Sequence, residues 1–193
     1  MKSVCVFCGS SPGKSADYVE VASELGRELA RRGLRLIYGG GNVGLMGAVA
    51  DAVMSAGGEV VGIIPHMLAE KELAHTTITE LIAVDSMHER KMEMANRADA
   101  FIALPGGFGT LDELCEILTW TQLGLHANPT ALVNHRGFFD GFLSFLDHAE
   151  EERFLRPEHR ALVLTGKTPA EALDQLIANP PQLFDKWLDR ETA

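Results

Sequence analysis

Short apolar runs alternate along the chain with longer segments in which apolar positions recur every three to four residues. The first pattern is typical of buried strands and the second of amphipathic helices, so their alternation predicts βα units around a parallel sheet. The apolar runs predict seven strands, at residues 3–8, 34–38, 59–64, 80–84, 100–104, 130–134 and 161–164. The helical periodicity predicts helices at residues 17–32, 45–56, 87–98, 111–123, 139–150 and 169–178.

Right-handed crossovers between these strands would leave helices on both faces of the sheet. The predicted fold class is therefore α/β, a Rossmann-like doubly wound parallel sheet flanked by helices on both faces. The longest connection without clear periodicity is segment 65–79, and Asn179-Pro180-Pro181 precedes a tail that contains Trp187. Neither resembles a domain linker, so we expect residues 1–193 to form a single domain.

The composition and net charge of the chain exclude several classes of function. The 193 residues are 46% hydrophobic, enough for one core, and the formal net charge of −10 argues against binding to a nucleic acid polymer or an anionic membrane. The N-terminal apolar run is far shorter than the ~20 residues that span a bilayer, and we interpret it as a strand with no export signal. With an odd number of cysteines, three in all, we expect a cytoplasmic protein.

Two of the cysteines form a C-x-x-C sequence, Cys5 and Cys8. Positions three apart on a strand point to opposite faces of a sheet, whereas a redox pair needs a helix start and zinc needs further ligands nearby. We therefore interpret both as small buried residues and expect neither a metal site nor a cofactor.

Three strand ends carry glycine turns, at residues 9–11, 39–44 and 105–110. In an open parallel sheet, ligands bind beyond the carboxyl ends of the strands, where glycine lets the backbone approach closely and helix N-termini present N–H groups to anions. Two glycine clusters at equivalent strand-to-helix junctions favour a phosphate site. Candidate contacts are Ser10, Gly40, Gly41, Gly106, Gly107, Phe108, Gly109 and Thr110.

Two further motif matches are incomplete. Residues 39–44 match G-x-G-x-x-G, but they follow the second predicted strand, and the next strand ends at Ile63-Ile64-Pro65 without the expected acidic residue. NAD binding is thus a minority interpretation. Residues 9–15 resemble a P-loop but have three residues between the glycines, where that motif has four.

The turn at 105–110 leads into two carboxylates, Asp112 and Glu113. If Thr110 caps the following helix, Glu113 completes a capping box with no catalytic role. Alternatively, the glycines expose this helix end to a ligand, and the helix dipole keeps Glu113 ionised as a base or a cation stabiliser. Asp112 points about 100° away from Glu113 and is interpreted as solvated or capping.

The segment MHERKMEM, residues 87–94, opens the helix after the fourth predicted strand. Helical spacing sets Arg90 or Lys91 among methionines near the ligand edge of the sheet. A guanidinium at that place is suited to contact with a phosphate or to fixing a carboxylate. Arg90 and Glu113 are therefore the two candidate catalytic residues.

These motifs, together with Cys8-Gly9-Ser10, Gly44-Leu45-Met46-Gly47 and Thr119-Trp120, closely resemble the Lonely Guy (LOG) family of cytokinin riboside 5'-monophosphate phosphoribohydrolases. The resemblance covers most of the chain. Members are often labelled lysine decarboxylases, but nothing here argues for a pyridoxal phosphate enzyme. Phe108 stands where a tyrosine is frequent and Asp112 where a glutamate is frequent, and neither departure changes the chemistry.

The resemblance implies a nucleotide-binding α/β domain that hydrolyses the N-glycosidic bond of an adenosine 5'-monophosphate, with or without an N6 substituent. The products would be a free base and ribose 5-phosphate. With plain AMP as the substrate, this reaction is an AMP nucleosidase activity. It implies Arg90 and Glu113 as the essential pair, with Glu72, Lys91 and Thr119 also in the substrate site. It also implies a homodimer with sites near the interface. The alternative is a non-catalytic nucleotide-binding sensor or carrier on the same fold.

Overall fold

A computed structural model describes residues 1–69 and 74–180 of the chain. Strands and helices alternate throughout this part. The strands are β1 (Ser3–Phe7), β2 (Arg35–Tyr38), β3 (Val60–Pro65), β4 (Glu80–Val84), β5 (Ala100–Ala103), β6 (Thr130–Val133) and β7 (Val163–Gly166). The helices are α1 (Ala16–Arg31), α2 (Gly44–Ser55), α3 (His66–Ala69), α4 (Met87–Asn96), α5 (Phe108–Gln122), α6 (Asp140–Glu151), α7 (Pro157–Arg160) and α8 (Pro169–Ala178).

The seven strands form one parallel sheet in the order β4-β3-β2-β1-β5-β6-β7. The chain builds outward from β1 to β4, then returns to place β5 on the other side of β1. Val4 of β1 accordingly pairs with Leu36 of β2 and with Ala100 of β5. This reversal of strand order opens a crevice beyond the carboxyl ends of β1 and β5.

Alternate residues of each central strand face opposite helical layers, as a period of two requires. On β1, Val4 and Val6 pack in the core shared with α1, α2 and α8, whereas Cys5 and Phe7 pack in the core shared with α4 and α5. A third apolar cluster lies between α5, α6 and the strands β5 to β7. The predicted doubly wound sheet with helices on both faces is confirmed.

The structure differs from the predicted elements at the connections. The segment after β3 contains the short helix α3, and a 3₁₀ turn at His135–Gly137 and helix α7 were also not predicted. The largest consequence concerns α5, which begins at Phe108 instead of residue 111. Its N-cap is Gly107, which has no side chain to mark the helix start in the sequence.

The part of the chain that the structure describes contains neither a membrane-spanning helix nor a cluster of metal ligands. No helix in residues 1–69 and 74–180 has the length and hydrophobicity needed to cross a membrane. Within the same ranges, no group of three or more His, Cys, Asp and Glu side chains could hold a metal ion. Cys5 and Cys8 are free and buried, in opposite layers of the fold, and Cys115 is free and exposed.

Candidate active site

A cleft of about 220 Å³ lies at the point where the strand order reverses. The ends of β1 and β5 are tied together here, because Leu104 donates its N–H to Phe7 O at 2.9 Å and Gly9 donates to Pro105 O at 3.1 Å. The residues that line the cleft come from β1 and its following turn, from β2, α2 and α4, and from the start of α5. They are Val6, Cys8, Gly9, Ser10, Gly39, Met46, Arg90, Gly107, Phe108, Gly109, Thr110 and Glu113.

A larger depression, of about 880 Å³, lies at the opposite edge of the sheet. Its cations Arg31 and Arg32 already pair with carboxylates, Arg31 with Glu28 at 2.7 Å and Arg32 with Asp174 at 2.7 Å. Ligands of doubly wound folds bind at the carboxyl ends of the strands, not at this edge. We therefore assign the candidate active site to the smaller cleft.

The start of α5 presents backbone N–H groups to the cleft. The N-cap Gly107 makes no side-chain cap, and the first helical hydrogen bond runs from Leu111 N to Gly107 O at 3.1 Å. The N–H groups of Phe108, Gly109 and Thr110 therefore precede the helical ladder, as at any uncapped helix start. Together with the helix dipole, they form a place where an anion is stabilised.

Gly106 allows this turn to close tightly. A Cβ at residue 106 would overlap the Thr110 side chain and lie 2.9 Å from Gly9 N. Thr110 itself is 3% exposed and is the third residue of α5. The capping-box alternative for Thr110 and Glu113 is therefore wrong, since Thr110 lies inside the helix rather than before it.

Arg90 is held against two strand ends by its own hydrogen bonds. Ser86 caps α4 by accepting Glu89 N at 3.1 Å, which places Arg90 in the first turns of that helix. The Arg90 side chain donates from Nε to Ile63 O at 3.2 Å and from Nη2 to Gly39 O at 2.8 Å. The residue is 5% exposed, so its guanidinium is nearly fixed at the cleft wall.

Glu113 enters the same cleft from the second turn of α5, where it is partly exposed. Its charge reaches the floor of the cleft: burial raises the pKa of the Cys8 thiol strongly, Glu113 raises it further, and Arg90 lowers it. Cys8 thus stays a neutral thiol that both charges influence. The structure brings the two predicted catalytic residues together, although α5 has no acidic residue in its first turn and the dipole argument for Glu113 loses force.

Two predicted substrate contacts point elsewhere. The ammonium of Lys91 contacts Asp112 at 3.2 Å and Glu116 at 3.0 Å on the outer side of α5. Asp112 is thus an ion-pair partner, not merely solvated or capping. Thr119 is exposed, donates to Cys115 O at 2.7 Å, and borders a separate apolar groove.

The turn after β2 contributes Gly39 to the cleft, but Gly40 and Gly41 are buried behind it. Gly40 O accepts His75 N at 2.9 Å, and Gly41 forms a bridge with Ala74. These glycines therefore contact residues 74 and 75, which come after α3 in the chain, instead of lining the cleft. Glu72, the remaining predicted contact, lies outside the described residues.

The α2 N-terminus is also occupied by protein. Leu45 donates its N–H to Gly9 O at 3.0 Å, and Gly44, at a φ of 57°, lies directly against the backbone of Ser10. A pyrophosphate would need this helix end, so the packing opposes the dinucleotide interpretation. Ser10 remains exposed at the cleft edge.

Several cleft residues were missed from the sequence. Gly39 and Cys8 lie beside predicted contacts, and the position of each at a strand end was the available signal. Met46 belongs to the motif Gly44-Leu45-Met46-Gly47, a signal from which no contact was predicted. Val6 looks like an ordinary core residue, and no sequence signal separates it from its neighbours.

The fold and cleft define a doubly wound α/β protein with a candidate anion-binding site at its switch point. Comparisons with known proteins identify the family. A family model described as "Possible lysine decarboxylase" matches residues 46–176. The probable cytokinin riboside 5'-monophosphate phosphoribohydrolase LOGL6 of Oryza sativa subsp. japonica is 50% identical over 93% of this chain and 72% of its own length. The cytokinin riboside 5'-monophosphate phosphoribohydrolase LOG3 of Arabidopsis thaliana is 50% identical over 90% of this chain and 80% of its own. The chain belongs to the LOG family.

More distant solved structures share the fold. The molybdenum cofactor carrier protein of Chlamydomonas reinhardtii superposes with a TM-score of 0.69 at 21% identity, covering 92% of this chain and 98% of that one. The molybdenum cofactor binding protein of Rippkaea orientalis gives a TM-score of 0.69 at 21% identity, covering 92% and 97%. At this identity the likeness concerns the fold alone.

Proposed function

We propose that this protein is a cytokinin riboside 5'-monophosphate phosphoribohydrolase, a hydrolase that cleaves the N-glycosidic bond of a nucleoside 5'-monophosphate. The observation that carries the proposal is one cleft shared by the buried Arg90, the carboxylate of Glu113 and the uncapped start of α5. Relatives of the LOG family at 50% identity bear this activity in their names.

The substrate phosphate binds at the start of α5 in this proposal. The N–H groups of Phe108, Gly109 and Thr110 surround the anion, and Gly106 and Gly107 let it approach the backbone. Ser10 adds a hydroxyl from the facing turn. This placement anchors the nucleotide by its only strongly charged group and leaves the ribose to lie between Arg90 and Glu113.

Glycosidic cleavage then follows from the two charged residues. As the bond between the base nitrogen and ribose C1' breaks, its electron pair leaves with the base and positive charge develops on the sugar. The Glu113 carboxylate stabilises that charge and orients or deprotonates the water that attacks C1', while the base takes up a proton. Arg90, anchored on Gly39 O and Ile63 O, holds the sugar phosphate and the Glu113 carboxylate in a fixed position relative to each other.

We further propose that plain AMP and N6-prenylated AMP are both candidate substrates, so that the proposed activity includes that of an AMP nucleosidase.

We propose a homodimer as the working form. Met87 and Met92 on α4 and Leu125 shortly after α5 are 36%, 49% and 70% exposed, which supports a surface that a second copy covers, on or next to the two helices that carry Arg90 and Glu113. The three free cysteines support a cytoplasmic protein.

The test is to incubate purified protein with AMP and with N6-isopentenyl-AMP and to measure free base by chromatography. We expect base release by the wild type and a loss of about 100- to 10,000-fold in Glu113→Gln, which keeps the shape but removes the charge. Glu158→Gln, on the remote helix α7, is the matched control and should leave the rate unchanged. Wild-type protein that releases no base from either nucleotide would refute the proposal.

Calorimetry distinguishes the competing class, a non-catalytic nucleotide sensor or carrier. Such a protein would bind AMP without turnover, and its Glu113→Gln variant would bind AMP with the same affinity as the wild type. The hydrolase proposal instead requires turnover by the wild type, and binding without turnover only in the variant.

A further inference from the structure

The side chain of Lys91 connects the two helices that carry the proposed catalytic residues. Its Nζ atom lies 3.2 Å from Asp112 Oδ2 and 3.0 Å from Glu116 Oε2. Lys91 immediately follows Arg90 on α4, and the two carboxylates flank Glu113 on α5. The contact therefore crosses from one catalytic helix to the other, next to both catalytic residues.

Helix geometry explains why Lys91 turns away from the cleft. Consecutive helical residues differ by about 100°, so Lys91 cannot share the direction of Arg90, which points at the ends of β2 and β3. Asp112 and Glu116 are four positions apart and so occupy one side of α5, where a single ammonium can contact both. To reach a substrate in the cleft, Lys91 would have to leave both carboxylates.

The environment of Lys91 favours a lasting contact. Its side chain is 13% exposed, compared with 26% for Glu116 and 61% for Asp112. Burial lowers the pKa of Lys91, but the hydrogen bonds and charges of Glu116 and Asp112 outweigh that effect and leave the pKa above its ordinary value. The ammonium remains charged near neutral pH. A pair with one shielded partner is screened less by water and salt than a fully exposed pair.

We propose that Lys91 is a positioning residue whose ion pairs with Asp112 and Glu116 clamp α4 to α5 and so hold Arg90 at its working distance from Glu113. This assigns Lys91 a structural link across the site instead of a contact with substrate. The inference rests on the proposed hydrolase activity, because the clamp is measured through that reaction.

Reversal of the charges tests the clamp. The proteins are wild type, Lys91→Glu, Glu116→Lys and the double variant Lys91→Glu/Glu116→Lys, each assayed for kcat and KM with AMP. We expect each single variant to lower kcat about tenfold, because a small misplacement of catalytic groups is costly, and KM to change less than kcat. In the double variant opposite charges face each other again, so kcat should return to within about threefold of wild type.

A contact between Lys91 and the substrate predicts a different result. If Lys91 bound the substrate, the double variant would be as impaired as Lys91→Glu, mainly through a raised KM, since residue 91 would still be a carboxylate. That result would overturn the clamp. Arg97→Met is the matched control: Arg97, the C-cap of α4, pairs with Glu93 of the same helix at 2.6 Å, so its loss should leave kcat unchanged.

Thermal unfolding of the same four proteins separates failure of the clamp from failure of the proposed function. If the wild type releases no base, the proposed function fails, and the clamp is judged by whether the double variant regains the melting temperature that each single variant loses. A double variant with additive losses shows no coupling between residues 91 and 116 and overturns the clamp independently of activity.

Discussion

The guanidinium of Arg90 occupies the space beside the α-carbon of Gly39 and donates a hydrogen bond of 2.8 Å to the Gly39 carbonyl oxygen. A Cβ at residue 39 would overlap the Nη2 atom of Arg90 and lie 3.0 Å from its Cζ. Glycine at the end of β2 is thus a condition for the position of Arg90. Because the colliding atoms belong to the end of a long side chain, it is Arg90 that would give way and not the sheet.

Gly39→Ala should therefore impair catalysis more than folding. The methyl group displaces the guanidinium from the cleft wall, and we expect kcat/KM for AMP to fall by about 100-fold, with a change in melting temperature of only a few degrees. Gly141→Ala is the control, since a Cβ at Gly141 in α6 meets open space. Full activity in Gly39→Ala would show that the reaction does not depend on the position of Arg90.

Phe108 is 94% exposed at the start of α5, on the rim of the cleft. A ring placed there can stack on the adenine of a nucleotide whose phosphate lies at the helix start, a contact worth ~1–3 kcal/mol. We expect Phe108→Ala to raise the KM for AMP about tenfold with little change in melting temperature, as measured by steady-state kinetics.

Phe154→Ala provides the comparison, because Phe154 is 88% exposed but lies away from the cleft lining. Its substitution should leave KM unchanged. Equal kinetics in the two variants would exclude a substrate contact for the Phe108 ring.

The fold and the meeting of Arg90 and Glu113 in one cleft were predictable because each depends on a local pattern. The period of two that separates Val4 from Cys5 recurs along the sheet, and Arg90 and Glu113 follow strands whose carboxyl ends meet at one edge. Details that depend on packing between distant segments were not predictable. Lys91 turns outward because α5 brings Asp112 and Glu116 within reach.

The same limit applies to the turn after β2. Gly40 and Gly41 belong to a glycine cluster like that of the true cleft residues, and only the approach of segment 74–75 decides that they face protein. The start of α5 was misplaced for another reason: its N-cap Gly107 has no side chain, so Thr110 offered the stronger but misleading signal.

His75 anchors that approaching segment. The residue is 2% exposed, its Nε2 atom lies 2.9 Å from Asp51 on α2, and its Nδ1 atom lies 3.2 Å from the Thr77 hydroxyl. His75→Ala removes both contacts and leaves a cavity, so we expect the free energy of unfolding to fall by ~1–3 kcal/mol in urea titrations. Thr76→Ala, at an exposed neighbouring position, should change it by less than ~0.5 kcal/mol. Similar values for the two variants would mean that His75 does not anchor the segment.

Stability in acid should depend on Glu28 in α1. Hydrogen bonds from Arg31 at 2.7 Å, with a further one from Arg32, outweigh the effect of burial and lower the pKa of Glu28 from 4.5 to about 2. A carboxylate with a lowered pKa in the folded state stabilises the protein above the pKa of the unfolded chain, and this contribution is lost as the pH falls through the folded value.

The stability difference between wild type and Glu28→Gln should thus be constant above about pH 5 and disappear between pH 4.5 and about 2. We expect its plateau to be only ~1 kcal/mol, because Arg31 is 66% exposed and water screens the pair. Urea titrations at several pH values measure the difference, with Glu20→Gln, in a more exposed pair on the same helix, as the control. A difference that persists unchanged at pH 2 would contradict the assignment, since a protonated Glu28 retains no charge for Arg31 to stabilise.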